Sequence, residues 1–406
     1  MRIIEADRIC LLPPEAEQDC NCVVLDDSGR VVDIGRRLPL QEQYAGAAYE
    51  RHSGAILPGL VNAHCHLELS AYGSGARPRA GTPFTAWVEQ LMAERARCEF
   101  SEEHLLAAAT EMARRQYDDG IVLIGDITNA LPPSHWLEEE SAVPEVVSML
   151  EIIAPVEAAV EAAEKRIAAL PKTCHVTAHA PYSVTPELLV ALKKRCRRNG
   201  QLFSIHTSET KDELEFLSRH SGIFRDFLEK RNAWDGSFTR RGEFPSAVQY
   251  FAALDLLDDQ TLLVHCTNLV EEDFSILERS GAHVCLCPLS NTWLGVGQAD
   301  AARLAGHIGN RLCLGTDSIT SNPGIDIWQE MCWLSDQGIA PSHILSMATE
   351  GGAGILGKLD EYGRIRPGYR GHLILVKSLE ITACRSRKEL ERVLVSMGRP
   401  ETIIHL

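Results

Sequence analysis

Several features that would define a membrane or secreted protein are missing from this sequence of 406 residues. No apolar run approaches the roughly 20 residues that a membrane-spanning helix needs. The first residues include Glu5 and Asp7, where a secretory signal peptide would have its apolar core. There is also no low-complexity tract that would indicate a disordered chain. We therefore expect a folded, cytoplasmic protein that does not act at a membrane.

Positive charge is also scarce. Lys and Arg total 40 against 56 Asp and Glu, which gives a formal net charge of −16. Long-range repulsion then excludes nucleic acid and anionic membranes as general partners. One basic run, residues 193–198, precedes Asn199 and Gly200, where a predicted helix ends. We expect its cations to form a solvated helix end that complements the helix dipole, and the alternative is a binding patch. A small-molecule substrate is the expected partner, and the sequence leaves a homo-oligomer open.

The 13 cysteines include no Cys-X-X-Cys pair, which excludes the commonest metal-binding and redox patterns of this residue. The same absence excludes the zinc deaminases that act on nucleic acids, because those need a Pro-Cys-X-X-Cys segment. Two Cys-X-Cys pairs, at 20–22 and 285–287, lie in apolar, strand-like runs. We therefore expect small, reduced thiols that are buried in the core.

Hydrophobic patterning divides the chain into two β-rich ends and a mixed middle. Residues 1–53 and 358–406 show short alternating runs separated by turns, and we expect them to meet in one small composite β-sandwich domain. Within residues 54–357, continuous apolar runs typical of buried parallel strands alternate with amphipathic helical segments. This α/β pattern predicts a distorted (β/α)8 TIM barrel. The eight predicted strands span 56–66, 121–128, 146–153, 175–180, 202–208, 262–268, 282–289 and 312–318.

Metal-binding and acid–base residues fall at the ends of these strands, where the catalytic residues of such barrels lie. The first strand ends in His64-Cys65-His66, and side-chain alternation places both histidines on one face. His179, His206, His265 and Asp317 lie at the ends of the fourth, fifth, sixth and eighth strands. Because imidazole nitrogen suits zinc and neighbouring metals, the pattern predicts a metal centre. The alternative is a strand with two polar residues at its exposed end.

The segment Pro58–His66, with the sequence Pro-Gly-Leu-Val-Asn-Ala-His-Cys-His, resembles the signature of the amidohydrolase superfamily of metal-dependent hydrolases. His206, His265 and Asp317 extend the resemblance, which covers almost the whole chain. It implies a metal centre whose ligands are His64, His66, His206 and Asp317.

The resemblance also implies how many metal ions are bound. Members with two ions carry a carboxylated lysine at the end of strand four, whereas residues 177–181 contain no lysine. One divalent ion is therefore implied, with zinc expected and iron as the alternative. Such an ion lowers the pKa of a water molecule that it binds.

Three acid–base residues complete the implied site. Glu209 lies three positions after His206 and resembles the proton-shuttling acid of mononuclear deaminases, which protonates a ring nitrogen as the carbon is attacked. His265 would hold or deprotonate the attacking water, and Asp317 would pass a proton to the leaving ammonia. The alternatives are a helix-start or ion-pair role for Glu209 and a buried structural role for His265.

Three longer segments, residues 64–70, 82–87 and 209–217, resemble the branch that contains aminodeoxyfutalosine, adenosine and S-adenosylhomocysteine deaminases. The implied function is release of ammonia from an adenine-type nucleoside. The alternatives are hydrolysis of a guanine, cytosine or triazine-type ring, and a non-catalytic scaffold. Leu289 stands where many relatives have Arg, which leaves the specificity residues open. The residues expected to contact substrate are His179, Glu68, Trp87, Glu94, Ser290 and Asn291. For His179, Trp87 and Glu94 the alternative is a structural or rim position.

Overall fold

The computed structural model of the chain describes residues 1–11, 20–79, 81–130 and 142–406. In these ranges the chain is an α/β protein of sixteen strands and sixteen α-helices. The strands are β1 Arg2–Glu5, β2 Arg8–Ile9, β3 Cys22–Leu25, β4 Val31–Gly35, β5 Ala48–Arg51, β6 Ala55–Pro58, β7 Leu60–Cys65, β8 Ile121–Thr128, β9 Glu145–Ile152, β10 His175–Ala178, β11 Phe203–Thr207, β12 Thr261–His265, β13 His283–Leu286, β14 Leu312–Leu314, β15 Leu373–Lys377 and β16 Thr402–His405. The helices are α1 Arg37–Gln43, α2 Phe84–Cys98, α3 Glu102–Asp118, α4 Glu157–Ala169, α5 Pro186–Asn199, α6 Lys211–Arg219, α7 Ile223–Lys230, α8 Ala247–Ala253, α9 Glu271–Ser280, α10 Pro288–Leu294, α11 Ala301–Ile308, α12 Ile327–Asp336, α13 Pro341–Ser346, α14 Gly352–Ile355, α15 Leu379–Ala383 and α16 Arg387–Ser396. Short 3₁₀ segments at Leu67–Ala76, Ser237–Arg241 and Gly309–Arg311 and a π-helical turn at Met347–Gly351 complete this structure.

The eight central strands form two four-stranded parallel sheets, in the orders β10-β9-β8-β7 and β11-β12-β13-β14. Hydrogen bonds join both edges: the amide of His206 donates to the carbonyl of His179 at 2.9 Å, and that of Thr316 donates to the carbonyl of His64 at 3.0 Å. Apolar side chains from both sheets share what we call the inner cluster, which includes Val61, Leu123, Met149, Val264, Cys285 and Cys313.

The prediction of one continuous strand over residues 56–66 is wrong, because the segment breaks at Gly59 into β6 and β7. The amide of Gly59 donates to the carbonyl of His372 at 2.7 Å. A Cβ atom at this position would lie 2.4 Å from Cγ1 of Val122, so only glycine permits the approach. As a result, β6 and β7 belong to different sheets.

Strands from the two ends of the chain pair with each other. In the sheet of order β16-β15-β6-β2, β15 runs antiparallel to both β6 and β16. A second sheet of order β4-β3-β1-β5 contains the remaining N-terminal strands. Ile4 and Val23 of the second sheet share an apolar cluster with Ile56 and Leu373 of the first. The terminal segments therefore pack on one another, and β6 lies just beyond the predicted boundary at residue 53.

The basic run 193–198 lies in the last turns of α5, which ends at Gly200 in the left-handed conformation that favours glycine. The helix end is therefore where the sequence predicts it. The predicted solvated end is confirmed only in part: Lys194 and Arg198 are exposed, whereas Lys193 is only 1% exposed and bonds Asp258 and Thr261. Lys193 thus ties α5 to the segment that leads into β12. None of the helices described here is long and apolar enough to cross a membrane.

Candidate active site

Four side chains predicted as metal ligands converge at the carboxyl ends of the central strands. His64 lies on β7, His66 follows that strand, His206 lies on β11, and Asp317 follows β14. All four are buried, and their ligand atoms lie within 4.8 Å of one another. The structure thus brings the complete predicted ligand set into one group.

A bulge in β7 turns the face that carries both histidines towards the site. The pairing of β7 with β8 shifts register between Asn62 and Cys65, so one extra residue is inserted there. Ala63 lies in the inner cluster, while Cys65 packs into the larger core on the opposite side of the strand. Bulges re-aim side chains and are common beside active sites.

Asp317 accepts hydrogen bonds from two hydroxyl groups and has an unusual backbone conformation. Oδ2 accepts hydrogen bonds from Ser290 and Ser321, both at 2.7 Å, while Oδ1 lies 3.4 Å from Nε2 of His66. The backbone φ of +58° is unusual for a residue with a side chain, and such strain costs of order 1–3 kcal/mol and concentrates at functional sites. Burial alone would raise the pKa of Asp317, but the surrounding imidazoles lower it overall, which favours the carboxylate form.

The chemistry of His64 fits a divalent metal. The side chain is buried, and neither ring nitrogen has a hydrogen-bond partner among the residues that the structure describes. An unpaired buried polar atom costs about 1–3 kcal/mol. Burial and the neighbouring imidazoles of His66 and His206 lower the pKa of His64 well below its usual range, so the ring is neutral and has a lone pair to share. Three imidazoles and one carboxylate form a donor set that holds a divalent ion.

Glu209 and His265 face each other beside this group. Oε1 of Glu209 lies 3.7 Å from Nε2 of His265. Burial raises the pKa of Glu209 well above its usual range, and the charges of Asp317 and Glu213 raise it further. Glu213 fixes this turn by accepting hydrogen bonds from the amides of Ser208 at 2.6 Å and Glu209 at 3.3 Å. The protonated form of Glu209 is therefore favoured.

His265 has a defined orientation. Its Nδ1 lies 2.8 Å from Oδ1 of Asn291, and its backbone φ is +74°. Leu262 and Val264 of the same strand lie in the inner cluster, so simple alternation would direct the next side chain away from the site. With the left-handed backbone, the side chain of His265 points towards Glu209 instead. Burial lowers the pKa of His265 to about 4, which keeps the imidazole neutral.

Three predicted substrate contacts are bonded to other residues of the site. Ser290 donates to Asp317, and Asn291 pairs with His265. Nδ1 of His179 lies 2.7 Å from the hydroxyl of Ser183. In addition, the carbonyl of His179 lies 2.8 Å from Nδ1 of His206, within hydrogen-bond distance. Ser290 and Asn291 thus act on the candidate catalytic residues themselves.

The other three predicted contacts are engaged by protein groups outside the histidine group. Glu68 accepts hydrogen bonds from Thr128 and from the amides of residues 129 and 130. Trp87 packs against Phe84, and its indole donates to the carbonyl of Ala76 at 3.2 Å. Glu94 forms an ion pair with Arg97, one turn along the same helix. Their expected role in binding substrate stays a prediction.

One buried carboxylate beside the site was not predicted from the sequence. Glu151 near the end of β9 is 4% exposed, and its Oε1 lies 3.8 Å from Nδ1 of His206. Burial alone would raise its pKa, but His179 and His206 lower the pKa overall. The signal was present, because an acid near the end of an apolar strand satisfies the rule that identified the histidines.

A buried histidine and carboxylate group at the ends of parallel strands defines a metal-binding enzyme of the α/β class. The family described as "Amidohydrolase family" matches residues 55–404, and the chain belongs to this family.

Several known proteins resemble the chain. It is 25% identical to a 5'-deoxyadenosine deaminase of Methanothermobacter thermautotrophicus over 87% of this chain and 80% of that protein. It is 27% identical to an aminodeoxyfutalosine deaminase of Deinococcus radiodurans, over 80% and 79%. A 5-methylthioadenosine/S-adenosylhomocysteine deaminase of Pelotomaculum thermopropionicum is 33% identical, but the match covers only 49% of this chain and 42% of that protein.

Solved structures show the same fold. The aminofutalosine deaminase of Helicobacter pylori, in complex with methylthio-coformycin, superposes with a TM-score of 0.78 at 22% identity, over 100% of this chain and 98% of that one. An adenosine deaminase from Xanthomonas campestris with bound zinc superposes with a TM-score of 0.76 at 21% identity, over 99% and 91%. At these identities the likeness concerns the fold alone.

Proposed function

We propose that this protein is a metal-dependent hydrolytic deaminase that releases ammonia from an adenine-type nucleoside. The single observation that carries the proposal is the position of Glu209, a buried acid 3.7 Å from His265 and beside the candidate metal ligands. The names of the related deaminases support the same reaction. Aminodeoxyfutalosine and adenosine or S-adenosylhomocysteine-like nucleosides are the proposed substrates.

We infer that His64, His66, His206 and Asp317 hold one zinc ion. Three nitrogen ligands and one oxygen ligand suit zinc, and the Xanthomonas relative was solved with zinc. When bound, the ion supplies a water molecule of lowered pKa for attack on the amidine carbon. Elemental analysis of the purified protein distinguishes zinc from iron, the alternative.

The protein's own residues would move the protons. Glu209 is kept protonated by burial and donates to the ring nitrogen next to the reacting carbon as negative charge develops there. His265 presents Nε2 as an acceptor towards the attacking water, because Asn291 fixes the proton on Nδ1. Asp317, held by Ser290 and Ser321, would accept a proton from the added water and pass it to the departing nitrogen, which leaves as ammonia when the carbon–nitrogen bond breaks.

For the architecture, we propose that β7–β14 close into a distorted (β/α)8 barrel within residues 54–357. The hydrogen bonds between the sheet edges support closure. We also propose that residues 1–53 and 358–406 form a composite β-sandwich, which the apolar cluster shared by the two terminal sheets supports. A crystal structure tests both proposals.

The function is tested by measuring ammonia release from adenosine, S-adenosylhomocysteine, methylthioadenosine, aminodeoxyfutalosine, guanine and cytosine. The proposal expects turnover of at least one adenine nucleoside by the metal-loaded protein. Turnover of guanine or cytosine alone would replace it with the alternative of a base-specific hydrolase. Inactivity on the whole panel, with the metal bound, would contradict it.

A further inference from the structure

Glu151 is a buried carboxylate that the proposed reaction does not use. Leu150 and Ile152 pack into the core on the helix side of β9, whereas Met149 lies in the inner cluster. Because side chains alternate along a strand, Glu151 faces the same side as Met149. It also lies nearer the carboxyl end of the strand, where the candidate metal ligands gather. Its carboxylate is thus directed into the site.

The two oxygens of Glu151 differ in their contacts. Oε2 accepts a hydrogen bond from the side-chain amide of Asn129 at 2.9 Å. Oε1 is buried and has no hydrogen-bond partner within residues 1–11, 20–79, 81–130 and 142–406. Such an atom is stabilised by a donor, and the missing donor is worth more when the acceptor is charged. A ligand that reaches this oxygen with an O–H group would supply it.

A second metal ion is a weaker explanation. Glu151, His179 and His206 offer ligand atoms within 4.8 Å of one another. However, Nδ1 of His206 donates to the carbonyl of His179 at 2.8 Å, so this nitrogen carries a proton and cannot bind metal. The other ring nitrogen belongs to the first metal group. Only two ligands remain, fewer than the three or four protein ligands of a typical site.

We propose that Glu151 accepts a hydrogen bond from a substrate hydroxyl, which makes the substrate a nucleoside rather than a free base. The inference rests on the proposed deaminase function. Glu151 belongs to the third central strand and Glu209 follows the fifth, so neighbouring spacings of about 4.8 Å separate them by roughly 10 Å at the backbone. The base reacts beside Glu209 and His265, and Glu151 meets the sugar. Asn129 holds the carboxylate in place for this contact.

The first experiment compares adenosine with its 2'-deoxy and 3'-deoxy analogues in the wild-type, metal-loaded protein. At least one deoxy analogue is expected to lose about 10- to 100-fold in kcat/KM, because a hydrogen bond to a charged group is worth that much. If another nucleoside of the panel is the better substrate, its deoxy analogues are used. Equal kcat/KM for all three compounds would overturn the proposal without any variant.

The second experiment measures, in Glu151→Gln, the ratio of kcat/KM for the hydroxylated nucleoside to kcat/KM for its deoxy analogue. This substitution keeps the size of the side chain. The variant is expected to lose activity on the hydroxylated nucleoside and to narrow this ratio roughly five- to tenfold, because the neutral amide keeps only the weaker hydrogen bond of an uncharged group. Glu164→Gln, an exposed position on α4, is the matched control for loss of one charge and should behave as wild type. A ratio in Glu151→Gln equal to that of wild type would overturn the proposal.

Metal analysis separates the remaining outcomes. Wild type and Glu151→Gln are expected to bind the same amount of zinc. Two ions in wild type and one in the variant would overturn the proposal in favour of a second metal site. If wild type deaminates nucleosides and Glu151→Gln has the same kcat/KM values, only this inference is wrong. If wild type releases ammonia from none of the nucleosides, both the proposed function and this inference are wrong.

Discussion

Nδ1 of His265 lies 2.8 Å from Oδ1 of Asn291, and both side chains are buried. With the amide oxygen as acceptor, the proton of the neutral ring is on Nδ1, and the lone pair of Nε2 faces Glu209. Asn291→Ala should therefore lower kcat by roughly 10- to 100-fold, as loss of such an orienting partner does in metal enzymes. Asn291→Asp retains an acceptor and should lose less. Steady-state kinetics with unchanged kcat in Asn291→Ala would refute the orienting role.

Replacing Glu209 with Gln should abolish ammonia release while the metal is retained. The amide keeps the shape of the side chain but cannot deliver a proton, and general acid catalysis typically contributes about 10²- to 10⁴-fold. Glu215→Gln, at an exposed position on the following helix α6, is the control and should remain active. Full turnover by the Glu209 variant would refute its assignment as the proton donor.

The ligand set predicts that His206→Ala lowers metal content. The variant removes one of four donors in the group, and a three-donor site binds the ion more weakly. Inductively coupled plasma analysis after dialysis measures the stoichiometry directly. His343→Ala, at an exposed position on α13, should bind as much metal as wild type. Equal metal content in both variants would remove His206 from the site.

Gly315 lies against the back of His64. A Cβ atom at this position would lie 2.8 Å from Cβ of His64 and 2.9 Å from Sγ of Cys285. Gly315→Ala should thus displace His64, lower metal content and reduce the free energy of unfolding by about 1–3 kcal/mol.

The matched control for this substitution is Gly306→Ala. Gly306 lies within α11 and has open space around it, so alanine should stabilise the protein by about 0.5–1 kcal/mol. Urea denaturation measures both variants. A Gly315 variant as stable as the Gly306 variant would contradict the close packing.

We expect the free energy of unfolding to depend on pH because of a partly buried histidine, His283. Burial and the nearby Arg311 lower the pKa of His283, the first residue of β13, to about 4 in the folded protein. The unfolded chain has its ordinary value near 6.5, so it binds a proton in this interval and the folded protein does not. The free energy of unfolding should fall as pH drops from about 6.5 to about 4, by at most roughly 3 kcal/mol from this residue.

His283→Gln should flatten the dependence in that window. Denaturation curves collected across it provide the measurement. His343→Gln, at an exposed position, should leave the slope as in wild type. A slope that is equally steep in the His283 variant would show that other groups cause the loss of stability.

The predicted ligand group could be located from sequence because it depends on a simple rule. Parallel strands present their carboxyl ends at one edge, so polar residues at those ends meet even when they are far apart in the chain. The same rule applied to β9 would have identified Glu151. The split of residues 56–66 was not predicted, because it depends on contact of Gly59 with Val122 on a neighbouring strand.

The aim of individual side chains was harder to predict. Alternation correctly places His64 and His66 on one face, but it does not predict that a bulge turns this face into the site. Nor does it predict the direction of His265, which has a left-handed backbone. These deviations are tertiary in origin and leave no mark in the hydrophobic pattern. Likewise, the sequence placed Glu94 on a segment expected to contact substrate. In the structure Glu94 pairs with Arg97, one turn along the same helix.

The contacts between the first and the last central strand bear on how the protein matures. Asn62 and Thr316, 254 positions apart, bond through their side chains, and the amide of Asp317 donates to the carbonyl of His64 at 3.1 Å. During synthesis His64 and His66 emerge long before their carboxylate partner exists. With the proposed ligand set, all four side chains can hold an ion only after the segment that follows β14 has joined β7, so tight binding depends on folding of the whole central region.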